Sequence, residues 1–159
     1  TPDFNGSVNL IKNVIDAGPH VMNHNIETVR RVFKKVRPKG NYDLSLNFLS
    51  DSKKIKPDLP TKSGMMVGLG ETKDEVIETM KDLRDHQCDL LTIGQYLRPS
   101  KKHHPIIKFY NPREFTEFQN IGLDMGFSHV AAGPLVRSSY HADEQHNAAV
   151  EKLINQIKS

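Results

Sequence analysis

Apolar positions alternate between helical spacing and short continuous runs along this chain. Val8, Ile11 and Ile15 fall on one helical face, and Gly18-Pro19 ends that run. Residues 1–6 ahead of it read as the end of a strand entering a turn, so the pattern opens in the middle of a unit. A short strand over residues 20–25 comes next, with the polar Asn23, His24, Asn25 and Glu27 crowded at its end. Val29, Val32, Phe33 and Val36 then define a helix closed by residues 38–40, and Tyr42, Leu46 and Leu49 mark another from about 42 to 54. Pro57 and Pro60 separate that helix from Met65, Met66 and Val67, a run too short for a helix and read as a buried strand. Thr72 with Glu75 is a capping box, and the helix it opens carries Val76, Met80 and Leu83 before giving out near residues 86–89. Residues 90–96 form the next strand. Asn111, Pro112 and Glu114 supply cap, first-turn proline and capping acid for a helix presenting Phe115, Phe118 and Ile121 and ending at Gly126. Residues 127–132 are the last strand, residues 135–143 a loop, and Val150, Leu153, Ile154 and Ile157 a final helix.

Strands alternating with helices predict an α/β fold with parallel strands. Four strands do not close a barrel, so the pattern fits the C-terminal part of a partial TIM-like (β/α) barrel, followed by a C-terminal loop and helix. Ligands of such sheets bind at the carboxyl ends of the strands, here residues 68–72 and 95–100.

Composition narrows the function classes. Lys plus Arg number 22 against 19 Asp plus Glu, a net charge of +3, and there is no tryptophan and no basic block. Nucleic acid is therefore a poor candidate partner. No apolar stretch reaches the roughly 20 residues of a membrane span. The single cysteine, Cys88, excludes an internal disulfide and points to a reducing compartment.

Several motifs invite chemistry. Gly64, Gly68 and Gly70 suggest a phosphate cradle, but their spacing is neither Gly-x-Gly-x-x-Gly nor a P-loop, and a tight turn accounts for them equally well. Of eight histidines, the adjacent His103 and His104 and the later His141 and His146 form no His-x-x-x-His frame, which argues against a dedicated zinc site. Ser138 and Ser139 lie in no nucleophile elbow despite His141 and Asp143 nearby. The long basic loop from Arg98 to Pro105, and Arg137-Ser138-Ser139-Tyr140 after the last strand, are the densest polar clusters. A capped loop explains the second as well as a site does.

Taken together, six stretches resemble the lipoyl synthases, a family of radical S-adenosylmethionine enzymes. They are Thr1-Pro2-Asp3-Phe4, His24-Asn25-Ile26-Glu27-Thr28, Val67-Gly68-Leu69-Gly70-Glu71, Gly94-Gln95-Tyr96-Leu97, Pro99-Ser100 with His103, and Gly133-Pro134-Leu135-Val136-Arg137-Ser138-Ser139-Tyr140. The resemblance runs from Thr1 to about Gln145. It implies insertion of two sulfur atoms at carbons six and eight of a protein-bound octanoyl-lysine chain. It also implies S-adenosylmethionine and two four-iron four-sulfur (4Fe-4S) clusters as cofactors, one cluster cleaving S-adenosylmethionine to a radical and the other donating sulfur.

Carried over residue by residue, Gly64, Met66, Gly68 and Glu71 match a Gly-x-Ile-x-Gly-x-x-Glu-like strand beside S-adenosylmethionine, with Met66 in place of isoleucine. Gly70 belongs to the same turn. Asn25 and Glu27 match positions near the ribose or amino-acid portion, and Gln95 and Tyr96 positions that approach the adenine. Ser139 matches an iron ligand of the auxiliary cluster, and Arg98, His103 and Arg137 are substrate or loop candidates. The implied partners are octanoylated lipoyl carrier proteins, namely the lipoyl domains of 2-oxoacid dehydrogenases and the glycine cleavage H protein. The implied location is the cytoplasm of a bacterium, or the mitochondrion of a eukaryote. On this reading residues 1–132 are the C-terminal part of the barrel and 133–159 an extension.

One departure stands out: the family's two cysteine triplets are absent, and Cys88 cannot replace six ligands. Since those triplets normally precede the segment matching Thr1, the chain reads as the C-terminal part of such an enzyme, inactive by itself. Two other readings remain. An aldolase-like barrel would need a Schiff-base lysine, for which Lys62, just before its strand, is a poor candidate. A noncatalytic binding module would leave the polar strand ends without a shared ligand.

Overall fold

A computed structural model describes residues 1–138. After a single 3-10 turn at Phe4–Gly6 the elements are α1 (Val8–Asp16), β1 (Met22–Asn23), α2 (Arg30–Val36), α3 (Tyr42–Ile55), β2 (Thr61–Val67), α4 (Lys73–Asp85), β3 (Leu90–Gln95), α5 (Pro112–Asp124) and β4 (His129–Gly133). The four strands form one sheet in the order β1-β2-β3-β4, and every pair is parallel. The α/β class and the parallel sheet expected from the pattern are therefore present.

The helices begin where side chains satisfy free backbone donors. Asn41 accepts the N–H groups of Asp43 and Leu44 at the start of α3, and Thr72–Glu75 and Asn111–Glu114 form complete capping boxes on α4 and α5. Positive φ at Gly18 (+77°) and Gly126 (+98°) turns the chain just beyond α1 and α5, a conformation glycine adopts without strain.

The strands depart from the pattern in three places. Residues 1–6 hold no strand, because the Asp3 carboxylate accepts the Asn5 N–H and folds the segment into the 3-10 turn. Polar Thr61, Lys62 and Ser63 belong to β2 and are buried. Thr61 donates its hydroxyl to the Gln87 carbonyl at 2.7 Å, and Ser63 Oγ accepts the Ile26 N–H at 3.0 Å, so the hydroxyls enter the interior satisfied. β4 starts two residues later than the apolar run, because the N–H groups of Phe127 and Ser128 donate to Gly122 and Asp89 and complete the turn out of α5.

Period-two alternation separates the two faces of the sheet. Met65, Val67, Leu91, Ile93 and Val130 pack with Val32, Phe33, Val76, Met80, Leu83, Phe115 and Phe118 of the helices. The opposite face carries rows in register: Lys62, Leu90 and His129, then Gly64, Thr92 and Ala131, then Met66, Gly94 and Gly133. The upper two rows are nearly free of bulk, which leaves room above the sheet at its carboxyl end.

Candidate functional site

That room is a cleft of about 190 Å³ lined by Asn25, Glu27, Gly64, Met65, Met66, Thr92, Gly94, Gln95, Leu97 and residues 136–138. Asn25 follows β1, and its Oδ1 is buried with no hydrogen-bond partner among the described residues. An unpaired buried acceptor costs free energy, so its presence beside a cleft makes Asn25 a candidate ligand contact. Gly64 makes the position possible, because a Cβ there would stand 3.0 Å from Asn25 Oδ1 and 2.8 Å from Thr92 Oγ1.

Glu27 holds a left-handed φ of +69°. Its N–H donates to Gly64 at 3.1 Å and its carbonyl accepts the Met66 N–H at 2.8 Å, so β2 holds it in that conformation. Its carboxylate lies 3.2 Å from Arg37 Nη1. Burial nevertheless raises its pKa, outweighing the lowering effect of Arg37. On the other wall, a Cβ at Gly94 would overlap the Val136 carbonyl oxygen, which lies directly over β3. Arg137 Nη1 donates to that same carbonyl at 2.8 Å and brings the guanidinium to the rim.

The glycine-rich turn after β2 is occupied differently. The Glu71 carboxylate accepts the N–H groups of Gly68 (2.6 Å) and Leu69 (2.9 Å), closing the turn on itself. The Gly68 carbonyl accepts the Ile107 N–H at 2.8 Å. The Gln95 amide donates to the Lys108 carbonyl at 3.0 Å and accepts the Tyr110 N–H at 3.0 Å. Residues 107–110 are thus strapped across the tips of β2 and β3. Tyr110 is buried, and its hydroxyl pKa is pushed up by burial first and by the Glu71 carboxylate second.

The structure therefore brings Asn25, Glu27, Gly64, Met66, Gln95 and Arg137 to one cleft. Gly68, Gly70 and Glu71 instead shape the adjoining turn, and Tyr96 is buried with its hydroxyl donating to the His104 carbonyl at 2.8 Å. Arg98 folds the following loop by donating to the carbonyls of His103 and Lys101. His103 shares a 2.9 Å hydrogen bond with Ser100. Ser139, with Tyr140, His141, Asp143 and His146, lies outside the described residues.

Lys62 lies within β2 rather than before it, 4% exposed, and desolvation lowers its pKa. It sits at the amino end of the strand, away from the cleft. Cys88 is fully buried, donates to the Leu90 carbonyl at 3.3 Å, and has its thiol pKa pushed up to about 12 by burial. Among the described residues no three His, Cys, Asp or Glu side chains are grouped to hold a metal ion. The described residues thus offer no ligand set for an iron–sulfur cluster. No helix among the described residues is long and apolar enough to cross a membrane.

Comparison with known proteins places this cleft in a family context. The family model described as "Radical SAM superfamily" matches residues 1–83, which include Asn25, Glu27, Gly64 and the whole turn after β2. The chain belongs to the radical SAM superfamily. Within it, the chain is 58% identical over 147 residues to a lipoyl synthase of Shouchella clausii (strain KSM-K16), covering 92% of this chain and 48% of that protein. It is 57% identical over 150 residues to the lipoyl synthases of Bacillus cereus (strain G9842) and Bacillus anthracis (strain A0248), covering 94% of this chain and 50% of each. It thus spans about half the length of the curated relatives it matches.

The candidate residues did not include Met65, Thr92, Gly94, Leu97, Val136 or Ser138, which also line the cleft. Thr92 was accessible in principle, since it shares strand parity with Gly94 and register with Gly64. Val136 and Ser138 fall in a stretch that matches the family, but their place at the cleft depends on the chain folding back over Gly94.

Proposed function

We propose that this chain is part of a lipoyl synthase, a sulfurtransferase that inserts sulfur at carbons six and eight of an octanoyl chain carried on a protein lysine. Identity of 57–58% to lipoyl synthases over more than nine-tenths of the chain carries the reading. The unpartnered Asn25 Oδ1 in a cleft floored by Gly64 and Gly94 supports it at the level of the site.

On this reading the cleft takes part of S-adenosylmethionine. Asn25 and Glu27 are suited to its polar ribose and amino-acid groups, as acceptors for hydroxyl or ammonium donors, while Gly64 and Met66 offer an apolar floor. When bound, S-adenosylmethionine supplies the radical chemistry that removes hydrogen from an unactivated carbon. Gly68, Gly70, Glu71, Gln95 and Tyr96 contribute by fixing the wall: their polar groups are bonded within the chain, so they need no reorganisation on binding. Met66, Leu97 and Val136 supply apolar lining to the space above β3. Arg137 at the rim, and Arg98 and His103 in the loop after β3, are the basic groups this reading offers to the substrate.

The reading assigns Ser139 to the auxiliary cluster and residues 133–159 to an extension of the barrel. The clusters themselves require cysteines that this chain lacks, so the chain alone is expected to be inactive. Its partners would be octanoylated lipoyl domains and H proteins, and its compartment the bacterial cytoplasm. The aldolase-like alternative loses ground despite the lowered pKa of Lys62, because that lysine lies at the amino end of β2 while barrel chemistry gathers at the carboxyl ends.

The test is calorimetric titration of the chain with S-adenosylmethionine, comparing Asn25→Leu, with sulfur insertion assayed in a chain of the relatives' full length carrying this sequence. Binding weakened about tenfold or more by Asn25→Leu, together with lipoyl product, is expected. Undiminished binding in Asn25→Leu refutes the site, and absence of lipoyl product refutes the activity.

A further inference from the structure

The segment that follows β3 runs from Leu97 to Arg113 and contains Arg98, Lys101, Lys102, Lys108 and Arg113 without a single Asp or Glu. In a chain whose net charge is only +3, this one stretch exceeds the whole imbalance. Two of the cations are engaged locally. Arg98 folds the loop through the carbonyls of Lys101 and His103, and Lys108 pairs with Glu114 at 2.5 Å and lies over the Tyr110 ring. Lys101 and Lys102 are exposed and make no ion pair among the described residues.

Interleaved with them are three large apolar side chains turned to solvent: Leu97 (48% exposed), Ile107 (59%) and Phe109 (69%). Flexibility does not explain their exposure. Ile107 is bonded through its own N–H to Gly68, and Phe109 lies between a carbonyl and an N–H both held by Gln95. The backbone is fixed on either side of each, so neither side chain is positioned to fold inward. Leu97 also lines the cleft, so the segment starts at the cleft wall.

We propose that the surface formed by Leu97, Lys101, Lys102, Ile107 and Phe109 is a docking site for an acidic protein. Under the lipoyl synthase reading, on which this identity of the partner rests, that protein is the carrier presenting the octanoyl-lysine at the cleft. An apolar centre with a charged rim is the usual anatomy of a protein–protein contact. The unpaired lysines select a negatively charged partner and speed its approach. Single-stranded nucleic acid fits less well, because it stacks on successive aromatic side chains and Phe109 is the one exposed aromatic in the segment. A rigid strap holding Ile107 and Phe109 outward also lowers the ordering cost of binding.

The experiment titrates the 159-residue chain with an octanoylated lipoyl domain at about 0.15 M salt, where the Debye length is about 8 Å, and reads Kd. Lys101→Glu/Lys102→Glu should weaken binding about tenfold or more, and Phe109→Ser by about tenfold. Lys39→Glu/Lys81→Glu, with the same change of net charge at exposed positions on other elements, should stay within about twofold because surface charges beyond the contact are screened. Surface variants that behave like this control overturn the proposal. So does tighter binding of anionic phospholipid vesicles or duplex DNA than of the lipoyl domain. Sulfur insertion in the full-length frame separates the two readings. Surface-dependent binding without lipoyl product sinks the function while the docking site stands, and lipoyl product with surface-independent binding sinks the docking site alone.

Discussion

Replacing Gly68 with alanine should be among the most destabilising small changes available in this chain, for reasons that lie across the sheet from it. Gly68 has φ +107°, so any side chain there carries backbone strain of about 1–3 kcal/mol. Its Cβ would also overlap Gln95 Nε2 and stand 2.6 Å from the Lys108 carbonyl oxygen. Relief requires Gln95 to move, which breaks its bonds to the Lys108 carbonyl and the Tyr110 N–H. Each of the two buried groups left unpaired costs about 1–3 kcal/mol, so with the strain the total is about 3–9 kcal/mol against a typical domain stability of about 5–15. Gly70 is the internal control: it has φ +100°, but its Cβ would meet only Ile107, at an ordinary 3.5 Å. Gly70→Ala should therefore cost the backbone strain alone, about 1–3 kcal/mol. Urea unfolding of both variants reads the difference, expected at about 2–6 kcal/mol from the two lost partners. Combining Gly68→Ala with Gln95→Ala should recover part of the loss, because the clashing amide is gone. Equal destabilisation by the two alanines, or strict additivity with Gln95→Ala, refutes the strap.

Three further outcomes follow from particular contacts. Gly94→Ala should lift residues 136–138 from β3, since its Cβ would overlap the Val136 carbonyl, and tryptic cleavage after Arg137 should accelerate; an unchanged cleavage rate counts against that packing. His24 is buried between the Thr1 carbonyl (2.7 Å) and Ser45 Oγ (3.0 Å), and desolvation lowers its pKa below the usual 6.5. A base depressed in the folded state binds more protons when unfolded, so its contribution is full above pH 6.5 and is lost as pH falls through the folded value. Denaturant midpoints of wild type against His24→Gln across that range should converge on acidification, and parallel curves would contradict it. Cys88, with its thiol pushed up to about 12, should resist alkylation at pH 8 until the chain unfolds, and rapid labelling of the native chain would contradict its burial.

What could be read without the structure was whatever depends on neighbours along the chain. The caps at Thr72–Glu75 and Asn111–Glu114 join residues three apart, and the stripes Val76–Met80–Leu83 and Phe115–Phe118 repeat at helical spacing. These local terms dictated α4 and α5 and, through the alternation of elements, the parallel sheet. Four of the residues at the cleft, Asn25, Glu27, Gly64 and Met66, were legible through the family resemblance, whereas the strand-end rule alone pointed to residues 68–72 and 95–100, of which Gln95 and Leu97 line the cleft. Contacts between residues far apart in the chain were decided only by tertiary structure. Thr61 to Ser63 look unlike a buried strand until Gln87 and Ile26 are seen to satisfy their hydroxyls. Gly68 reads as a turn glycine, yet its closest constraint is the Gln95 amide. Gln95 looks like a ligand contact, yet both ends of its amide are held by Lys108 and Tyr110. In each case a polar group finds its partner across the sheet, and no local rule on propensity or spacing carries the energy of a bond closed by the fold itself.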